Sequence, residues 1–189
     1  LMPMAAVPVP VTEREIDDRR RLGIDKHDEC WAGEWHLVNP PKMWHEDLNM
    51  RLLFALAPGA EALGLRPHAG PVGIFGADND WRVPDQIYFR PEDAREEGVV
   101  SAELVVEIRS PGDDSYKKLP FFASRGVTEV MIIHQDRRFE LYRLNRDRYP
   151  VPAKPEDDGS VRSDVLDVAF TTVDGPRLRV CWDGGSAAI

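Results

Sequence analysis

The chain has 189 residues and a formal net charge of -9, with 42% hydrophobic and 30% charged residues. This length and balance fit one compact domain and exclude wholesale disorder. The acid excess argues against a broad basic surface that would hold nucleic acid by counterion release alone, so any DNA contact has to be local.

The opening LMPMAAVPVPV reads as a flexible Pro-rich arm over residues 1–11 and lacks the positive region and cleavage site of a signal peptide. No apolar run approaches the roughly 18 residues of a membrane span. Cys30 and Cys181 show no CxxC or Cys-His spacing, which supports neither a disulfide framework nor zinc and suits a reducing cytoplasm. Residues 12–30 open on Thr12 and Glu15, a capping-box pair, and continue as a charged stretch expected to hold a short helix or two. GEWHLVNPP at 33–41 reads as an early strand closed by Pro40 and Pro41. WHEDLNMRLLFALAPGAEALG then sets Leu48, Leu52, Leu56 and Leu63 close to one helical stripe, with an interruption expected at Pro58-Gly59 and a stop at Gly64.

PHAGPVGIF and DWRVPDQIYF flank the turn-like GADND and read as a hairpin. AELVVEI is nearly continuous in apolar residues, the mark of a strand buried on both faces. A helix is expected around 114–125, ending at Gly126, with Pro120 tolerated only in its first turn. VTEVMIIH and RFELYRL form a second hairpin, VPAKPEDDGS a polar loop, RLRVCW a last strand, and 184–189 a tail. The sum is an α/β (α+β) fold, a mixed sheet flanked by a few helices, in a single domain over 12–183.

One residue does not fit its strand. With a period of two, Glu103, Val105, Glu107 and Arg109 share one face, and Leu104, Val106 and Ile108 the other. A carboxylate taken out of water needs a cation, a metal or several donors. Arg109, two residues along the same face, is one candidate partner. The other involves Asp85, which shares a face with Val83, Ile87 and Phe89. Two carboxylates on neighbouring strands repel, and a hard divalent cation such as Mg²⁺ resolves the repulsion, with the Ile108 carbonyl free as a third ligand. Such a cation lowers the pKa of water and offsets charge growing on a phosphoryl oxygen, and a nearby lysine assists. Ser110-Pro111-Gly112 is explained as a turn, since no Ser-His-acid grouping surrounds it. The 5 tryptophans read as packing residues, and His27, His36, His68 and His134 form no ligand spacing.

Pro84-Asp85 followed by Glu107-Ile108-Arg109 resembles the PD-(D/E)XK nuclease signature, with Arg109 at the usual lysine position. A longer pattern is more specific: ECWAGEWHLVNPP with His45 four residues on, RVPDQIYF, ELVVEIRSPGDDSYKKLPFFASRGVTEVMII and FELYRL. Together these stretches, roughly residues 28–144, resemble the Uma-two family of restriction endonucleases, a bacterial branch of that superfamily. The resemblance implies a restriction-endonuclease-like core and a metal-dependent endodeoxyribonuclease that hydrolyses DNA phosphodiester bonds with Mg²⁺ or Mn²⁺. It implies that Asp85, Glu107 and the Ile108 carbonyl hold the metal. In this family the sheet lysine has moved to the following helix in a D-x-x-x-K-L pattern, which makes Lys118 the catalytic lysine and Asp114 its companion, with Lys117 turned about 100° away. Glu29 would be an additional metal or water-shell acid, or else a solvent-facing acid at a helix end. His45 would contact phosphate or metal-bound water, or else cap or pack its helix. A homodimer is expected, with MIIH and FELYRL available as an interface. Two alternatives use the same residues: a non-catalytic interaction domain, and a metal-assisted hydrolase of a smaller phosphate ester.

Overall fold

A computed structural model of the protein describes residues 10–144, 147 and 149–189. Most of the arm expected over 1–11 lies outside the described residues. Helix α1 (Glu13–Leu22) begins at the capping box read from sequence: Thr12 accepts from the Glu15 N–H, Glu15 accepts from the Thr12 N–H, and Gly23 at φ 68 closes the far end. Arg19 then clamps Asp28 at 2.6 Å, tying the helix to the segment that enters β1 (Glu29–Trp31). β1 pairs with β2 (Glu34–His36) across a turn in which Ala32 and Gly33 both have positive φ. Only the second of these strands was expected, because a strand of 3 residues is too short for alternation to show.

Helix α2 (Met43–Ala62) buries Leu48, Leu52, Leu56 and Ala60. Leu63 departs from the expected stripe and is half exposed, because the helix ends at its position and the stripe passes through Ala60 instead. Pro58 does not interrupt the helix. Both Pro58 and Phe54, whose carbonyl it leaves unbonded, lie on the exposed face where water can serve that oxygen.

The first predicted hairpin is a long ribbon that changes sheet midway. β3 (Arg66–Ala69) pairs with β6 (Gln86–Phe89), while β4 (Gly73–Phe75) pairs with β5 (Trp81–Arg82). Gly70 at φ 117, a conformation open to glycine, lies at the break. β7 (Gly98–Val99) joins β4 in parallel. β8 (Leu104–Ile108) is followed by a 3-10 turn over Ser115–Lys118, then α3 (Leu119–Ser124), and β9 (Glu129–Ile133) returns parallel to β8. The helix expected over 114–125 is therefore split, with Pro120 in the opening turn of α3 as its missing N–H requires. β10 (Phe139–Leu144) forms the predicted hairpin with β9, and β11 (Pro150–Pro152) covers its far edge.

A meander completes the chain: β12 (Val161–Ser163), β13 (Val168–Val173), β14 (Arg177–Trp182) and β15 (Gly185–Ala188). β15 replaces the tail expected over 184–189, and Ile189 exchanges both backbone hydrogen bonds with Leu178.

The fold is thus mixed α/β. Among the described residues it has sheets ordered β2-β1-β5-β4-β7, β11-β10-β9-β8-β6-β3 and β12-β13-β14-β15. β8 and β9 form the centre, both buried on both faces, as expected for β8. One face packs on α2 and the meander through Leu104, Val106, Ile108, Leu52, Phe170 and Val180. The other packs on α3 through Val105, Val130, Phe121 and Phe122. Met131, Ile132 and Ile133 are buried within the protein, and β11 pairs with Tyr142–Leu144 at the outer edge of β10. Among the described residues, no helix is long and apolar enough to cross a membrane.

Candidate active site

The pairing of β6 with β8 brings the two suspect carboxylates to one place. Gln86 is opposite Val106, and continuing that register by one residue sets Asp85 opposite Glu107 on the same face. Asp85 Oδ2 accepts the Ile108 N–H at 2.6 Å, closing the ladder with a side chain. Behind it, Asn49 on α2 donates weakly to the Asp85 carbonyl at 3.5 Å, and Gln86 donates to Asn49 at 2.7 and 2.8 Å. This buried amide brace carried no sequence signal.

Glu107 is 4% exposed. Its partner is Lys118, whose Nζ lies 3.0 and 3.2 Å from the two carboxylate oxygens. The same ammonium lies 2.8 Å from Glu29 Oε1. Glu29 also accepts from the Val83 N–H at 2.9 Å and from the Trp31 indole at 2.7 Å. It is buried on β1, not exposed at a helix end, because the segment before it is clamped by Arg19 and turns into the hairpin. Glu29 therefore anchors the lysine. Glu29 and Trp31 share a strand face, a signal available only once β1 is recognised as a strand.

Two carboxylates, Glu107 and Glu29, face one ammonium, with the charge of Asp85 acting on Glu107 beside them. Burial, and then the charges of Asp85 and Glu29, push the Glu107 carboxyl up against the opposing pull of Lys118. Burial would lower Lys118, but Glu107 and Glu29 hold its ammonium above the usual lysine range. Burial leads the first shift, and the neighbouring carboxylates outweigh burial in the second.

His45, in the first turn of α2, is 6% exposed and reaches the site. Its Nε2 is 3.0 Å from the Ile108 carbonyl and 3.3 Å from Asp85 Oδ1, and its Nδ1 is 3.2 Å from Glu46. Burial alone would lower its pKa; Asp85, then Glu46, raise it to about 9.

Arg109 turns away from the site, and Asp114 lines the cavity without touching Lys118. The Arg109 guanidinium grips Asp113 through Nε at 3.1 Å and Nη2 at 3.2 Å and lies 4.8 Å over the Tyr116 ring. Asp113 also accepts from the Ser110 and Ser115 N–H groups, which folds the loop back within reach of the arginine. The Arg109–Glu107 pair left open by the sequence is therefore not formed. Asp114 pairs with Lys117 at 2.9 Å and not with Lys118.

Asp85, Glu107, Lys118, Glu29, His45 and Ile108 line a cavity of about 520 Å³. Among the described residues, no group of three or more His, Cys, Asp or Glu side chains forms a ready-made ion cage. Mg²⁺ does not require one: it keeps several waters and is held by one or two carboxylates together with substrate phosphates. The all-oxygen donors and the surplus of negative charge suit such an ion.

A family model, Uma2, described as "Putative restriction endonuclease", matches residues 19–174. Among solved structures, 5 chains match. One is described as "a putative nuclease belonging to DUF820" from Anabaena variabilis; it is 17% identical, with a TM-score of 0.61, over 84% of this chain and 92% of that one. At that identity the likeness is one of fold. No curated protein matches the chain.

Proposed function

The chain belongs to the Uma2 family, and from that membership we propose that it is a divalent-metal-dependent endodeoxyribonuclease. The observation that carries this reading is the carboxylate pair Asp85 and Glu107, set opposite each other with the Lys118 ammonium against Glu107. Asp85, Glu107 and the Ile108 carbonyl would hold Mg²⁺ or Mn²⁺. When bound, such an ion lowers the pKa of water and offsets charge on a phosphoryl oxygen. Lys118, pinned from behind by Glu29, has its charge fixed on the cavity side, where it orients water or meets an oxyanion without reorganising. His45 holds the Ile108 carbonyl and Asp85 in one arrangement.

One observation favours the non-catalytic alternative: both Glu107 oxygens and both Asp85 oxygens already have partners within the protein. A cleavage assay on plasmid and single-stranded DNA with Mg²⁺ or Mn²⁺, run on wild type and Asp85→Ala, separates the two. Metal-dependent cutting by wild type that vanishes in Asp85→Ala is expected. Cutting that survives the substitution overturns the assigned site, and no cutting by wild type favours the interaction domain.

A further inference from the structure

The carboxylate cavity has a second kind of wall, made by Trp31 and His36. Their rings stack with centroids 3.9 Å apart and planes 20° from parallel. The indole is held by its bond to Glu29 and carries the Arg82 guanidinium 4.6 Å from its centroid. The result is an ordered pile anchored on β5, β1 and β2, whose outermost layer is an imidazole at the cavity.

That imidazole is incompletely bonded. His36 Nε2 is buried yet has no hydrogen-bond partner within the protein, its nearest charge being the Glu34 carboxylate at 3.9 Å. Buried polar atoms are nearly always paired, and this one leaves the ring held by stacking on Trp31 and not by a hydrogen bond through Nε2. Burial lowers the proton affinity of His36 in spite of Glu34 and Glu29, which leaves a neutral ring near pH 7. A flat, neutral, pre-fixed ring beside phosphate-directed chemistry suits a nucleobase, since every base offers a π face to an aromatic platform.

We propose that the Trp31–His36 stack is the platform for one nucleobase of the substrate strand. The platform rests on the nuclease reading for its substrate, and it makes His36 a contact for a base flanking the scissile bond.

The test uses the Asp85→Asn protein, so that DNA is bound without being cut. Its ligand is a single strand of about 12 nucleotides, within the usual span of such sites, carrying the fluorescent base 2-aminopurine. Binding is expected to quench the fluorophore. Adding His36→Ala should weaken binding about tenfold and remove the quench, as loss of one stacked base does. His36→Phe should keep the quench and recover part of the affinity. An abasic strand of the same length needs no second variant, and it should bind the Asp85→Asn protein about as weakly as the intact strand binds the His36→Ala form. Equal affinity for intact and abasic strands overturns the platform, as does absence of any binding. If wild type still cuts DNA in that case, the nuclease reading stands alone. If wild type cuts nothing but the quench depends on His36, the platform stands and the nuclease reading falls.

Discussion

Two glutamates interrupt the two central strands, and their fates differ. Glu107 on β8 and Glu129 on β9 are 4% and 1% exposed, each the one acid in an otherwise apolar strand. Glu129 is met by neutral and cationic donors: the Ser163 hydroxyl at 2.5 Å, the Asp164 N–H at 2.8 Å and Arg143 Nε at 3.2 Å. Glu107 is met by one ammonium that it shares with Glu29, with Asp85 pressing a further charge on it. The first carboxylate is a finished rivet between the central sheet and the meander. The second is left with surplus negative charge beside a cavity. Burial of an acid therefore does not mark a functional site; the sign of what surrounds it does.

Isosteric substitution should break this pair apart. Glu107→Gln is expected to lower kcat/KM for DNA about a thousandfold, of the order seen when one fixed electrostatic contact is removed from an active site. Its melting temperature should hold or rise, because one of three crowded charges is gone. A clear drop in melting temperature would mean that Glu107 is structural after all. Removing the cation comes next: Lys118→Ala should cost about 3 kcal/mol in urea unfolding, since it strands two buried carboxylates. Glu129→Gln should cost about 2 kcal/mol, by turning an acceptor into a donor opposite Ser163 and Asp164, with kcat/KM of the folded protein unchanged. The smallest effect belongs to Arg143→Ala, about 1 kcal/mol, because its partially exposed guanidinium leaves Glu129 two other donors. If Arg143→Ala cost as much as Lys118→Ala, the two acids would be alike and the contrast would fail.

The sequence exposed this contrast only in part. Glu107 stood out because Asp85 lay upstream on an apolar face and Lys118 downstream at one end of a helix; all three carried pattern. The capping box of α1, the leucine stripe through Leu56 and the β9–β10 hairpin were legible for the same reason, since each is a local rule. What stayed hidden depends on distant segments meeting. Glu29 reads as one more acid until a 3-residue strand is placed beside β5. Arg109 and Glu107 share a face, yet a loop held by Asp113 decides where the guanidinium goes. The ribbon from β3 to β6 looked like one hairpin because alternation carries no information on which sheet a strand joins.

The parallel pair at the centre gives the two acids a further consequence. A strand that is apolar on both faces says little about its own alignment, because sliding by one residue exchanges Val and Ile for Leu and Val. In β8 and β9 only Glu107 and Glu129 would object, each carried by a slip into hydrocarbon with no donor in reach. They sit near opposite ends of the pair, Glu129 across from Leu104 and Glu107 across from Ile132. The acids thus act as two alignment pins for the folding sheet, and the chain cannot close its core in the wrong frame without discarding the residue proposed to hold its cation.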